Sequence, residues 1–172
     1  MQRLAGGDMN ALAEIVRRHQ DTVRAVAYRM SNRWDVADDV AQDAFLRVYR
    51  SAARYRPAAA FRTWLYRIVV NLCMDRARVT RPVELPTEPL PGNGNAPDSA
   101  LAQAEKIAAV QQAVGGLPER QRIVLILHRF EQQAQRQIAE ATGWSESAVE
   151  SLLTRAYQQL REKLAGWKDG QD

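Results

Sequence analysis

An all-α chain of two small helical domains on a flexible linker is what this sequence predicts, on three observations. Apolar residues recur at helical spacing in both halves, and no segment shows sustained strand alternation. Five prolines (Pro82, Pro86, Pro89, Pro91, Pro97) crowd between Arg81 and Pro97, with Gly92, Asn93, Gly94 and Asn95 among them. A compact element does not tolerate that density of residues that lack an amide hydrogen or favour positive φ. At 172 residues the chain accommodates one domain or two small ones, and the run divides it into 1–80, a linker at 81–97, and 98–172.

The elements follow in order. Leu12, Ile15, Val16, Val23, Val26, Ala27 and Met30 make one stripe over Asn10–Met30, with Arg17, Arg18, Asp21 and Arg24 opposite. Ser31-Asn32-Arg33 interrupts the pattern, and Asp35 is placed to cap a second helix reaching about Ala53. Its core side, Val36, Val40, Ala44, Val48 and Ala52, steps by four. Pro57 marks a loop, and a third helix over about Ala60–Arg78 carries Phe61, Trp64, Leu65, Ile68, Leu72 and Cys73 on one stripe. Behind the linker, Ser99–Val114 reads as a helix ended by Gly115-Gly116. Pro118 suits a first helical turn, and Ile123, Ile126, Leu127 and Phe130 form the next apolar face. A short helix at Gln135–Thr142, a turn at Gly143-Trp144-Ser145 and a long helix over Glu146–Leu164 complete the chain, with a frayed tail after Gly166.

Charge is uneven. Residues 1–80 hold 14 Arg against 8 acids, net +6, whereas 81–97 and 98–172 each carry net −1, giving +4 in all. A basic front half fits a polyanion such as nucleic acid, or is simply a solvated basic surface. Cys73 is the single cysteine and sits in an apolar run, which excludes a disulfide or zinc cluster and predicts a buried structural thiol. No apolar run approaches ~20 residues and the N-terminus lacks a signal-peptide core, so a cytoplasmic protein without membrane insertion is expected. His19 and His128 lie in different halves with no nucleophile at recognisable spacing, and neither a P-loop nor H-E-x-x-H occurs. No catalytic residue, metal or cofactor is expected.

Three features carry binding chemistry. Ala139, Gly143, Val149 and Leu152 stand at helix-turn-helix spacing: a small residue for close crossing, Gly for positive φ in the turn, two apolar anchors. Ser145 can cap the second helix, whose exposed start offers Glu146, Ser147, Glu150, Ser151 and Thr154 before the first basic residue, Arg155. A purely structural helical corner is the alternative. Asp35, Asp39 and Asp43 line one face at i, i+4, i+8, beside Asp38 and Gln42, either as a solvated face near a helix N-terminus or as a docking surface for a basic partner helix. A carboxylate-only Mg²⁺ site lacks a convergent third ligand. Arg47, Arg50 and Arg54 follow on another face, next to Tyr55, Phe61, Trp64 and Tyr66; basic residues interleaved with rings suit single-stranded nucleic acid, although Phe61 and Trp64 also belong to the apolar stripe.

D-x-x-D-D-V-A-Q-D-A-F-L-R-V-Y (Asp35–Tyr49), F-R-T-W-L-Y-R-I-V-V-N (Phe61–Asn71), L-P-E-R-Q-R (Leu117–Arg122) and the helix-turn-helix together closely resemble bacterial extracytoplasmic-function (ECF) sigma factors, over almost the whole chain. The resemblance implies a sigma domain 2 at 1–80 and a sigma domain 4 at 98–172, with no enzymatic activity. The protein would bind core RNA polymerase, direct it to promoter DNA in a stress response, and answer to an anti-sigma factor. Asp39, Gln42 and Asp43 match positions that dock on the β′ clamp helices. Ser51, Tyr55 and Asn71 match positions around a base flipped out of the minus-ten element, a set that Arg54, Phe61 and Trp64 complete. The linker would run through the RNA-exit path. Domain 4 would sit on the β-flap and read the minus-35 element through Arg136, Ser147, Glu150, Ser151, Thr154 and Arg155. Where relatives carry V-[KR]-S-R-[LI], this chain has Val149-Glu150-Ser151-Leu152-Leu153, and the usual G-L-S-Y-x-E-I-A lead-in is Q-Q-A-Q-R-Q-I-A (Gln132–Ala139). A sigma mimic that occupies an anti-sigma factor without binding promoters is the alternative function, favoured by the near-neutral second half and disfavoured by Tyr55 and Asn71.

Overall fold

The structure, a computed structural model, describes residues 1–56, 60–79 and 97–168, with side chains for 1–56, 60–78 and 105–165. The loop expected at Pro57 and all of the expected linker but Pro97 lie outside the described residues. Among the described residues eight α-helices follow one another: α1 (Gln2–Ala5), α2 (Met9–Ser31), α3 (Trp34–Ser51), α4 (Phe61–Val79), α5 (Pro97–Gly115), α6 (Glu119–Leu125), α7 (Gln135–Thr142) and α8 (Glu146–Lys168). No strand occurs among the described residues.

Sequence and observed boundaries agree to within a few residues, and the differences have local causes. Asp8, not foreseen, caps α2 by accepting from the Asn10 amide at 3.0 Å. Asn32 ends α2 in the left-handed region at φ 56°, where its short polar side chain is tolerated. Arg33 rather than Asp35 occupies the N-cap of α3; Asp35 lies inside the first turn, bonded to the Arg33 guanidinium. α8 continues through Gly166 to Lys168 instead of fraying there. After α6 the chain widens into a π-helical turn, Ile126–Phe130, that periodicity alone did not reveal. That turn slips the register: Ile123, Ile126 and Leu127 are buried as expected, but Phe130 is 40% exposed, under the Arg29 guanidinium at 4.6 Å from its ring.

The core runs through both halves. Val23, Val26, Ala27 and Met30 of α2 and Val40, Ala44 and Val48 of α3 pack with Leu65, Val69, Val70 and Leu72 of α4. Ile123, Val124, Ile126, Leu127, Ile138, Ala141, Val149 and Leu153 join the same cluster. α4 is therefore central. The stripe read from its sequence is half the story, since Thr63 and Tyr66 on its other side are also buried. A helix covered on both sides needs a second packing partner, here the second half of the chain.

Cys73 is buried near the end of α4, and burial pushes its thiol up to about 12. The thiol is thus protonated at neutral pH and unreactive. Alkylation of native protein at pH 8 should be far slower than that of a free thiol and should reach full rate only in denaturant. Rapid labelling of the native chain would contradict this burial.

Candidate polymerase and nucleic-acid surfaces

The acidic face of α3 is less uniform than its spacing suggests. Asp35 is bonded to Arg33, Asp38 accepts from Arg24 Nε at 2.5 Å, and Asp43 accepts from Arg76 Nη2 of α4 at 2.9 Å. Asp39 and Gln42 are exposed and have no side-chain partner among the described residues. Two apolar residues continue their face and were missed in the sequence: Leu46 and Tyr49 are 42% and 47% exposed. Spacing was the available signal, because 39, 42, 46 and 49 share one face of a helix whose other side is core. An exposed carboxylate, amide, leucine and tyrosine thus stand in a row along the outer face of α3.

Next to it lies a ring cluster. Tyr55 follows the 3₁₀ turn Ala52–Arg54 and meets Trp64 edge-on at 4.8 Å between centroids, with Phe61 5.8 Å from Trp64. His19 of α2 closes it at 5.3 Å from Phe61, and burial, then Arg62 and Arg18, hold its imidazole below the usual range, so it packs as a neutral ring. Tyr55, Phe61, Trp64 and Ser51 are all half-buried, and Phe61 and Trp64 pack against the core. Asn71 is exposed two turns along α4 from Trp64, and Arg47, Arg50 and Arg54 stand exposed on the α3 side. The structure thus gathers Tyr55, Phe61 and Trp64, and gives the three arginines no ion pair among the described residues.

The second half forms a helix-turn-helix from α7 and α8. Gly143 ends α7 at φ 76°, the left-handed conformation the turn requires. Ser145 Oγ accepts from the Ala148 amide at 3.2 Å and so caps α8. The anchors are Val149 and Leu153, both buried, rather than Val149 and Leu152, which is only half-buried. Ser147, Glu150, Ser151, Thr154 and Arg155 are all exposed on the free side of α8; Thr154 Oγ1 donates to the Glu150 carbonyl at 3.0 Å. Arg136 at the start of α7 is exposed but leans on Glu140 at 3.4 Å. Among the described residues no acid–histidine–thiol group could hold a metal, and no helix is long and apolar enough to cross a membrane.

The lead-in to α7 is locally unfavourable. Gln132 adopts φ 54°, where an L residue is strained, at the position where the related motif has Gly. Ala134 stands at the N-cap, where the motif has Ser, and cannot accept a bond there; only the Gln137 side chain reaches back, accepting from the Ala134 amide at 2.9 Å.

Comparison with known proteins accords with this architecture. Sigma-70 region 2 matches residues 15–82 and Sigma-70 region 4 matches residues 107–160. The chain is similar to the ECF RNA polymerase sigma factor SigM of Mycobacterium tuberculosis, 36% identical over 158 residues, covering 92% of this chain and 79% of SigM. SigE of Mycolicibacterium smegmatis is 32% identical over 169 residues, covering 94% of this chain, which spans only 65% of SigE. Among solved structures, CnrH in complex with the cytosolic domain of CnrY superposes with a TM-score of 0.70 at 25% identity, covering 99% of this chain and 95% of that one. The sigma factor RpoE of Bartonella quintana, in complex with the anti-sigma factor NepR, gives 0.71 at 18% identity over 89% and 96%, a likeness of fold alone.

Gln132→Gly and Ala134→Ser should each stabilise the chain, by about 1 kcal/mol through relief of the left-handed conformation and by about 1 kcal/mol through the missing cap. For a chain of this size each should raise Tm by roughly 2–4 °C, read by circular dichroism. Unchanged or lowered Tm in both variants would refute the backbone geometry of this lead-in.

Proposed function

The chain belongs to the ECF family of RNA polymerase sigma factors, and from that premise we propose how its surfaces divide the work. The protein directs core RNA polymerase to promoters and performs no chemistry itself; the polymerase supplies it. Residues 1–80 act as domain 2, 81–97 as the linker and 98–172 as domain 4. Asp39 and Gln42, extended by Leu46 and Tyr49, dock on the β′ clamp helices, with Asp43 at the edge. Ser51, Arg54, Tyr55, Phe61, Trp64 and Asn71 take up the unpaired minus-ten strand, whose bases stack on half-open rings while nearby arginines neutralise phosphate. Domain 4 sits on the β-flap and presents Ser147, Glu150, Ser151, Thr154 and Arg155 to the minus-35 duplex, with Arg136 toward its backbone. This work takes place in the cytoplasm, where an anti-sigma factor would control it. The single observation that carries this reading is the adjacency of an unpaired strip on α3 and a half-open ring cluster on one domain. Run-off transcription with purified core polymerase on genomic promoter fragments tests it: specific transcripts support it, and their absence with intact anti-sigma binding favours the mimic.

The Asp43–Arg76 contact decides which docking variant is clean. Asp43→Arg would set two arginines against each other inside the domain, confounding docking with stability. Asp39→Arg disturbs no contact, so helicity and Tm should stay at wild-type values. Its like charge against a basic clamp should cost on the order of several kcal/mol of core affinity. Wild-type co-purification of Asp39→Arg with core polymerase would remove α3 from the interface.

Strand capture is separable from docking. Tyr55→Ala should lose about 1–3 kcal/mol of stacking, roughly one to two decades in open-complex lifetime, with core binding intact. The deficit should shrink on a pre-melted template if it lies in opening, and persist if it lies in holding the strand. A Tyr55→Ala variant as active as wild type on fully duplex promoter would exclude Tyr55 from the site.

A further inference from the structure

One residue beside the ring cluster carries chemistry that packing does not use. His19 of α2 meets Phe61 at 5.3 Å between centroids, and Phe61 links it to Tyr55 at 6.3 Å and Trp64 at 5.8 Å. The imidazole is half-buried, yet neither ring nitrogen is closed off from solvent, and neither has a hydrogen-bond partner among the described residues. Its carbon body supports a ring while its polar edge stays free. The fixed charge near that edge is positive. Arg18 precedes His19 on α2 and Arg62 follows Phe61 on α4, and these are the two charged groups that act on the imidazole. Their carboxylates are shared: Glu14 serves both Arg17 and Arg18, and Glu131 serves both Arg29 and Arg62. With 65% and 54% of their side chains exposed, Arg18 and Arg62 are each open to a second anion.

The rings indicate what that anion is. Sites for single strands pair stacking rings with cations that track the backbone, and a strand that lays bases on rings carries a phosphate with every nucleotide. A base stacked at Phe61 therefore brings its flanking phosphates toward the corner where α2 and α4 meet. Two arginines alone would attract a phosphate there. A third permanent cation would repel them in the free protein, and an imidazole avoids this by staying neutral. Burial first, then Arg62 and Arg18, hold the free ring below its ordinary value.

We propose that His19 is a strand-binding residue: with Arg18 and Arg62 it forms a phosphate corner for the unpaired minus-ten strand at the Phe61 end of the ring cluster. The inference rests on the strand-capture reading and extends that site from α3 and α4 onto α2. A phosphate against the ring favours its charged form, so the complex holds a proton, taken from solvent, that the free protein lacks. Affinity for the strand then rises as pH falls through the raised value of the complex. It levels off below the lowered value of the free protein, where both states are protonated.

The test uses core polymerase reconstituted with the full chain, on a pre-melted promoter fragment identified by run-off transcription, from about pH 5.5 to about pH 8. From the alkaline to the acid end, wild type should gain about tenfold more affinity than His19→Gln, the equivalent of one unit of raised pKa. His19→Gln keeps a hydrogen-bonding group without a charge and should match wild type near the alkaline end. His19→Phe keeps a ring without nitrogens and should bind more weakly throughout, with no added gain in acid. At the acid end the log–log salt dependence of wild type should be steeper than that of either variant by about 0.7, as one more phosphate contact on a single strand requires. A residue that only packs moves neither readout. Equal gains and equal salt slopes in wild type and His19→Gln would overturn the contact. If His19→Phe fails to fold, His19→Gln, altered at an open edge, carries both readouts. Tyr55→Ala, assayed beside them on duplex and pre-melted promoter, separates the two levels of the argument. Loss of binding in Tyr55→Ala with both His19 variants at wild-type values overturns the role of His19 alone. Wild-type binding by Tyr55→Ala and by both His19 variants on either template overturns the strand-capture reading, and the phosphate corner with it.

Discussion

One apolar cluster, continuous from Val23 and Val26 of α2 through Val69 of α4 to Ile138 and Val149 of the helix-turn-helix, sets the orientation of every other surface. Halves of this size, about 80 residues each, bury too small a fraction of their surface to be comfortably stable alone. Sharing a core along α4 relieves that shortage. Each fully buried valine or leucine contributes roughly 1.5–3 kcal/mol, whereas an exposed ion pair contributes about 0–1. Burial therefore fixes how each helix is rotated, and the charged faces go wherever rotation leaves them. On α3 the valines at 40 and 48 turn inward, and Asp39, Gln42, Leu46 and Tyr49 are turned outward as a consequence.

Half-burial does the same for the ring cluster. A ring in open solvent would change rotamer freely and lose entropy on stacking; a ring fully in the core could not meet a base. Phe61 and Trp64 are packed against the core with one face free, and Tyr55 is braced edge-on by Trp64. Of the two readings of these residues in the sequence, packing is what the structure bears out for Phe61 and Trp64, and their partial exposure leaves room for the strand capture proposed above. On that proposal the cost of holding the rings would be met by the core and not by the ligand, which is preorganisation in its ordinary sense.

How much of this was legible in the sequence depends on the range of the interaction involved. Periodicity reported what a helix does to its own side chains: the core stripe of α3, the glycine at 143 and the serine cap at 145 all stand where local rules put them. The family match then rested on local motifs of the same kind. What the sequence could not show was relational. Asp35, Asp38, Asp39 and Asp43 look alike in the sequence, yet Asp38 is engaged by Arg24 of α2 and Asp43 by Arg76 of α4, while Asp35 takes its near neighbour Arg33. Tyr66 read as one more aromatic beside the basic face, and only the fold brings Glu131 to it across 65 residues. The π-helical turn was invisible too, and it leads directly into Glu131 and Gln133, whose side chains meet α4.

Those contacts also give meaning to the places where local rules are broken. Gln132 in a left-handed conformation and Ala134 at an uncapped N-terminus each forgo about 1 kcal/mol that Gly and Ser would restore. Scattered over a chain, such departures would be noise. Here they flank the buried carboxylate on its C-terminal side, within three residues of it. The turn is thus held by the contacts of Glu131 and Gln133 to the first half and not by its own backbone preferences. With Glu150 in place of a base and Arg136 leaning on Glu140, the second half carries no excess of positive charge, so on the reading proposed above its own electrostatic pull on DNA would be small. Tethered beside a domain 2 held by polymerase, it needs little, because effective concentration supplies what charge does not.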